Sequence, residues 1–128
     1  MDLFSKIKEM RTLLVDDDEW IRDSLCLFFE SEGCRLLAFE TAEEALEELK
    51  NQSYDLIIVD YKLPGMDGLE FLRQIQKAHS NTLKVLISAY GSNEVVSEAK
   101  KLGIHDFIEK PFTSETIEAS LAEVIKSY

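Results

Sequence analysis

Three consecutive aspartates, Asp16-Asp17-Asp18, stand directly after the short apolar run Thr12–Val15. A fourth, Asp60, ends a second such run and leads into Tyr61-Lys62-Leu63-Pro64-Gly65. A third run ends at Ser88-Ala89, and a weaker one at Glu109-Lys110-Pro111. Taken singly, each group has an ordinary explanation. Asp17 or Asp18 is a good helix cap, an aspartate before a turn is common, Ser88 is a strand-end hydroxyl and Lys110 a solvated charge. Gathered on one rim, they make a different object. Crowded carboxylates are costly unless compensated, and oxygen-only ligands of this kind select Mg²⁺, with Mn²⁺ able to substitute. A lysine and a hydroxyl beside them suit a tetrahedral oxyanion. A carboxylate nucleophile, a cation and a lysine together describe phosphoryl transfer, where positioning and charge neutralisation do most of the work.

Such convergence needs elements that end at the same place. Thr12–Val15, Leu56–Val59 and Leu83–Ile87 are continuous apolar runs, as expected of strands covered on both faces. Arg35–Phe39 and His105–Ile108 are weaker and belong nearer the sheet edges. Between the runs lie five stretches with helical spacing. Ile21, Leu25, Phe28 and Phe29 share the first, with Gly33 just past its end. Thr41 and Glu44 have capping-box spacing before Ala45, Leu46 and Leu49. Asp67 is a candidate N-cap for Leu69, Leu72 and Ile75. Val95, Val96, Ala99 and Leu102 form the fourth stripe, ended by Gly103. Ile117, Leu121, Val124 and Ile125 form the fifth, after the candidate cap Thr113. Five βα units in strict alternation predict an α/β three-layer sandwich around a parallel sheet with right-handed crossovers. In such sheets ligands bind beyond the carboxyl ends of the strands, where the polar residues fall.

The 128 residues fit one domain, read as a short lead over 1–10 and a folded unit over 11–128. A composition of 45% hydrophobic and 30% charged residues is that of a globular protein. The net charge of -11, from 25 acidic and 14 basic residues, disfavours direct binding to nucleic acid or to anionic membrane. No apolar run approaches the ~20 residues of a membrane span, and the first residues lack the core of a signal peptide. Cys26 and Cys34 lack zinc-ligand spacing and read as buried thiols of a reducing, cytoplasmic environment.

Four segments, Leu13–Asp18, Asp55–Gly68 (DLIIVDYKLPGMDG), Val85–Gly91 (VLISAYG) and Gly103–Phe112 (GIHDFIEKPF), resemble in order and spacing the receiver domain of two-component response regulators. The likeness runs from about Arg11 to Tyr128 and implies a flavodoxin-like (βα)5 fold with strand order 2-1-3-4-5. It implies Asp60 as phosphoacceptor, and Asp16 and Asp17 as the acidic pair for Mg²⁺, Asp17 directly and Asp16 through water. It further implies the Lys62 backbone carbonyl as a metal ligand, Ser88 as the switch hydroxyl, and Lys110, before a cis bond to Pro111, as the phosphoryl-bridging lysine. Phe107 takes the aromatic switch position, more often tyrosine in this family, so its inward state would rest on packing alone. Lys62 and Tyr90 stand where the family tunes the lifetime of the acyl phosphate. Trp20 is expected partly exposed near the acidic cluster, as a fluorescence reporter. The implied partners are a sensor histidine kinase or phosphotransfer protein. An output domain or downstream protein would be met through the fourth predicted helix, the fifth strand and the fifth helix, and a phosphorylation-dependent dimer is compatible. The implied chemistry is self-phosphorylation and autodephosphorylation of a signalling domain rather than turnover by an enzyme. Two other classes fit the sequence less well. A haloacid dehalogenase-type phosphatase needs a second aspartate two residues after its nucleophile, where Lys62 stands. A flavin- or nucleotide-binding domain needs a Gly-rich phosphate loop where Asp16-Asp17-Asp18 would repel a phosphate.

Overall fold

The apolar runs form the strands β1 (Thr12–Val15), β3 (Leu56–Asp60) and β4 (Leu83–Ser88), every residue of which is buried. They occupy the middle of a five-stranded parallel sheet of order β2-β1-β3-β4-β5. The short edge strands are β2 (Leu37–Phe39) and β5 (Asp106–Glu109). This computed structural model describes residues 2–89 and 91–128. Among the described residues six helices surround the sheet: α1 (Leu3–Ile7), α2 (Glu19–Ser31), α3 (Ala42–Asn51), α4 (Gly68–Ile75), α5 (Asn93–Lys101) and α6 (Ser114–Ile125). The predicted fold is therefore the observed one, with one helix more than the five expected.

Within the central strands successive side chains serve opposite faces, although both are apolar. Leu14, Leu56, Ile58, Val85 and Ile87 enter one core with Phe29 of α2 and Ile117 and Leu121 of α6. Leu13, Val15, Ile57, Val59 and Leu86 enter the other with Ala45 of α3, Leu72 of α4 and Ala99 of α5. Fully burying one such leucine or isoleucine contributes roughly 1.5–3 kcal/mol, so the two cores fix the sheet and hence the strand ends.

The expected helix starts are present. Asp18 caps α2 by accepting from the N–H groups of Trp20 and Ile21, and Asp67 caps α4 through the Glu70 N–H. Thr41 and Glu44 form a reciprocal capping box, and Thr113 and Thr116 form another. The helix α1 lies within the lead over 1–10. Asp2 caps it, its Phe4 ring meets that of Phe28 edge-on at 5.7 Å, and Ile7 is fully buried in the α2–α6 core. A five-residue helix shows no period to read, and tertiary packing holds it. Strand β2 is shorter than the Arg35–Phe39 run, and β5 lies one residue later than its run. Two expectations on burial also shift. Cys34 is buried, but Cys26 is only half-buried, its thiol facing the Leu36 carbonyl at 3.8 Å. Trp20, at 78% exposure, is far more open than expected, because it lies off the apolar stripe of α2.

Candidate functional site

Parallel pairing places Val15 beside Val59, Asp60 beside Ile87 and Ser88 beside Glu109. Asp16, Asp60, Ser88 and Lys110 consequently emerge on one rim of the sheet. The turn after β3 is built for close approach: the Gly68 N–H reaches the Tyr61 carbonyl at 2.7 Å, and a Cβ on Gly68 would strike the Asp60 carbonyl oxygen. Gly65 in the same turn has φ +75°, a conformation side chains disfavour.

On this rim Asp16, Asp17 and Asp60 each offer a carboxylate oxygen within 4.8 Å of the others. Asp16 is fully buried, Asp60 is nearly so, and Asp17 is exposed. The Lys110 ammonium donates to Asp60 Oδ2 at 2.9 Å and stands 3.2 Å from Asp16 Oδ2. The Lys110–Asp16 contact is an ion pair without hydrogen-bond alignment, so Asp16 Oδ2 is buried with no hydrogen bond of its own. Its other oxygen, Oδ1, accepts the Asp18 N–H at 2.9 Å. One ammonium thus touches two of the three carboxylates. A small cavity of about 270 Å³ opens onto the group, lined by Asp17, Asp60, Lys62, Ala89 and Lys110.

The electrostatics record the crowding. Burial pushes the Asp16 carboxyl up to about 6; the Asp60 charge adds to that, while the Asp18 amide and Lys110 oppose it. Burial likewise raises Asp60, against the hydrogen bond and charge of Lys110, with Asp17 adding to the rise and the Lys62 amide resisting it. For Lys110 burial alone would lower the ammonium, but its hydrogen bond to Asp60 and the two carboxylate charges carry it above its ordinary value. An all-oxygen donor set, a buried carboxylate oxygen lacking a hydrogen bond and incomplete neutralisation fit a hard divalent cation such as Mg²⁺.

The remaining sequence-predicted residues lie around this centre. Ser88 is 1% exposed at the end of β4. Lys62 is an exposed residue of the cavity rim, and the peptide bond from Lys110 to Pro111 is cis. Phe107 is half-buried in the α3–α5 core, its ring 3.5 Å from where a Cβ on Gly91 would stand. Tyr90 lies outside the described residues. Trp20 lines an apolar cleft beside the rim with Ile21, Lys110, Pro111 and Phe112. Two side chains not singled out by sequence hold the flanking loops. Arg22 Nη1 donates to the Asp16 carbonyl at 2.9 Å, and Glu43 Oε2 accepts the Met66 N–H at 3.3 Å. Neither has a local signature, since each contact joins elements whose ends are set by tertiary pairing.

The family profile of the response regulator receiver domain matches residues 12–122. The transcriptional regulatory protein FixJ of Bradyrhizobium diazoefficiens is 32% identical over 113 residues, which are 88% of this chain and 55% of FixJ. The chain thus spans about half the length of that relative. Sporulation initiation phosphotransferase F of Bacillus subtilis is 31% identical over 118 residues, 92% of each protein. Among solved structures, a CheY-like receiver domain protein of Methanospirillum hungatei superposes with a TM-score of 0.81 at 33% identity, covering 92% of this chain and 98% of the other. CheY4 of Vibrio cholerae gives 0.82 at 28% identity, covering 88% and 96%. With the strand order 2-1-3-4-5 and the aspartate cluster in place, this chain belongs to the response regulator receiver domains of two-component signal transduction.

Proposed function

We propose that Asp60 is the phosphoacceptor of this receiver. The observation that carries the reading is the Lys110 ammonium bridging Asp60 and Asp16 where three carboxylates converge. An Asp60 carboxylate oxygen attacks the phosphorus of a phosphohistidine, or of a small phosphodonor, in line with the breaking bond. The P–N or P–O bond to the donor breaks, and its electron pair leaves with the imidazole or carboxylate. Lys110 neutralises charge on the transferring oxygens. Asp16, Asp17, Asp60 and the Lys62 carbonyl would hold Mg²⁺, with Mn²⁺ able to replace it. When bound, the ion supplies further charge neutralisation and orients the phosphoryl oxygens.

The phosphoryl group then draws the Ser88 hydroxyl inward, and the Phe107 ring moves into the space given up. In support, Ser88 is buried at the rim and Phe107 packs against Gly91 in the loop leading to α5. The surface of α5, β5 and α6 is the output face, biased between two packings rather than built anew. Lys62 tunes the lifetime of the acyl phosphate, together with Tyr90. The donor is a sensor histidine kinase or phosphotransfer protein, and the output is an attached domain, a downstream protein or a dimer formed on phosphorylation. Near end-to-end likeness to a sporulation phosphotransferase supports a relay role, and likeness to half of FixJ supports the input-module role. The domain acts as a switch in the cytoplasm, with no turnover of a separate substrate. Free thiols at Cys26 and Cys34 and the lack, among the described residues, of any helix able to cross a membrane support that setting.

Incubation with acetyl phosphate and Mg²⁺, read by intact mass, tests the assignment. One phosphoryl adduct is expected in the wild-type chain and none in Asp60→Asn or after chelation. Full labelling of Asp60→Asn would refute it. Steady turnover of p-nitrophenyl phosphate would favour the phosphatase class instead, against which Lys62 stands.

A further inference from the structure

The peptide that joins Asp16 to Asp17 orients both acidic side chains, and the last β1–β2 bond falls one peptide short of it. The β1–β2 ladder ends where the Asp16 N–H reaches the Phe39 carbonyl at 3.0 Å. In a parallel ladder the Asp16 carbonyl would next receive the N–H two residues further along, that of Thr41. That amide is diverted into the capping box of α3, where it donates to Glu44 Oε1 at 3.3 Å. Arg22, in the first turns of α2, supplies the missing donor: its Nη1 reaches the Asp16 carbonyl at 2.9 Å. A strand that stops early would otherwise leave a carbonyl unpaired beside a buried carboxylate. Rotation of that peptide would swing the Asp17 carboxylate away from Asp60.

We propose that Arg22 is a positioning residue for the metal site, fixing the Asp16–Asp17 peptide so that both carboxylates converge with Asp60. This rests on the reading of the acidic cluster as a Mg²⁺ site. The guanidinium meets the backbone, and Arg22 is not among the residues that would hold the cation.

Charge and geometry predict opposite signs, which makes the proposal testable. Removing a positive side chain near a cation site should tighten cation binding if charge is all that matters. If Arg22 acts by positioning, its removal should weaken binding. The full chain would be titrated with MgCl2 and followed by Trp20 fluorescence, beside a thermal melt without metal. In Arg22→Met, which keeps the aliphatic packing, the Kd for Mg²⁺ should rise about tenfold, in the range for partners that orient metal ligands. Arg22→Lys should recover part of that loss. Asp55→Ala, at the far end of β3, should melt earlier with an unchanged Kd, separating positioning from general destabilisation. A Kd in folded Arg22→Met equal to or below that of the wild type overturns the proposal. If Arg22→Met does not fold, Arg22→Lys decides: about a twofold or larger rise in Kd supports the role, and no rise overturns it. A wild-type chain that binds no Mg²⁺ would overturn the metal-site reading and this proposal together.

Discussion

The two ends of the sheet treat charge in opposite ways. At the carboxyl ends of the strands, three carboxylates crowd together, two of them share the Lys110 ammonium, and those two are pushed toward protonation. At the amino ends, the charged groups find partners within the fold, although the buried Thr12 hydroxyl has none among the described residues. Asp55 accepts from the Arg11 N–H at 2.8 Å and from the Tyr128 hydroxyl at 3.1 Å. The buried Lys84 ammonium donates to the carbonyls of His79 and Thr82 at 2.8 and 3.0 Å. The His105 ring takes the Lys84 N–H, while the His105 N–H returns a bond to the Lys84 carbonyl. One end answers its charges with neighbouring groups of the fold, whereas the other crowds carboxylates around a single lysine. Residues of the same type should therefore answer to different assays according to the end they occupy.

The two lysines give the largest contrast. Lys110→Ala removes the only ammonium hydrogen-bonded to Asp60 among the described residues and should slow phosphorylation by acetyl phosphate by about 10²-fold or more. Lys84→Met should leave that rate within about twofold, since its two carbonyl partners lie far from the rim and their loss acts on stability. Time courses of the phosphoryl adduct by intact mass would decide. Comparable losses in both variants would dissolve the distinction between the ends.

Next in size is a contrast of sign in stability, measured by urea unfolding with Mg²⁺ chelated. Asp16→Asn relieves like-charge crowding and keeps an acceptor for the Asp18 N–H, while giving up the Lys110 ion pair. It should stabilise the chain by roughly 1 kcal/mol even as it weakens Mg²⁺ binding. Asp55→Ala leaves the Arg11 amide and the Tyr128 hydroxyl without their acceptor and should cost about 1–2 kcal/mol. If Asp16→Asn destabilises the metal-free chain, the rim is structurally satisfied and not held under tension.

Local physics explains which of these features the sequence displayed. Runs such as Leu56–Val59 are apolar on both faces, so they declared central strands, and their shared direction brought Asp16, Asp60, Ser88 and Lys110 to one rim. The caps at Asp18, Thr41, Asp67 and Thr113 were visible because each acts within a few residues. The end of β2 at Phe39 was visible too, but not that α3 claims the Thr41 amide, on which the role open to Arg22 depends. The helix α1 was missed for a related reason: one aromatic contact and one buried isoleucine hold it, and its five residues carry no repeat. The openness of Trp20 followed from its position off the α2 stripe, but its full extent needed the packed neighbours around it.

The smallest effect concerns pH and again separates the ends. Partial desolvation, then the Lys84 charge, lower the His105 pKa below 6.5, and its Nδ1 accepts the Lys84 N–H, a bond that only the neutral ring can take. Unfolded chains therefore bind more protons here than folded ones between the depressed value and 6.5. This contribution is fully present above pH 6.5 and is lost as pH falls through the folded pKa. The raised Asp16 carboxyl works in the opposite sense without metal: its contribution is fully present below pH 3.8 and is lost as pH rises through about 6. A single stability curve would blend the two, so the useful quantity is the difference between the wild-type chain and His105→Gln, which keeps an acceptor but does not titrate. The wild-type advantage should shrink by under about 1 kcal/mol between pH 7.5 and 5, because solvent screens a ring only partly withdrawn from water. A difference that stays flat over that range would mean that the ring takes up its proton alike in the folded and unfolded chain, and that the amino end of the sheet is as tolerant of charge as the rim is strained by it.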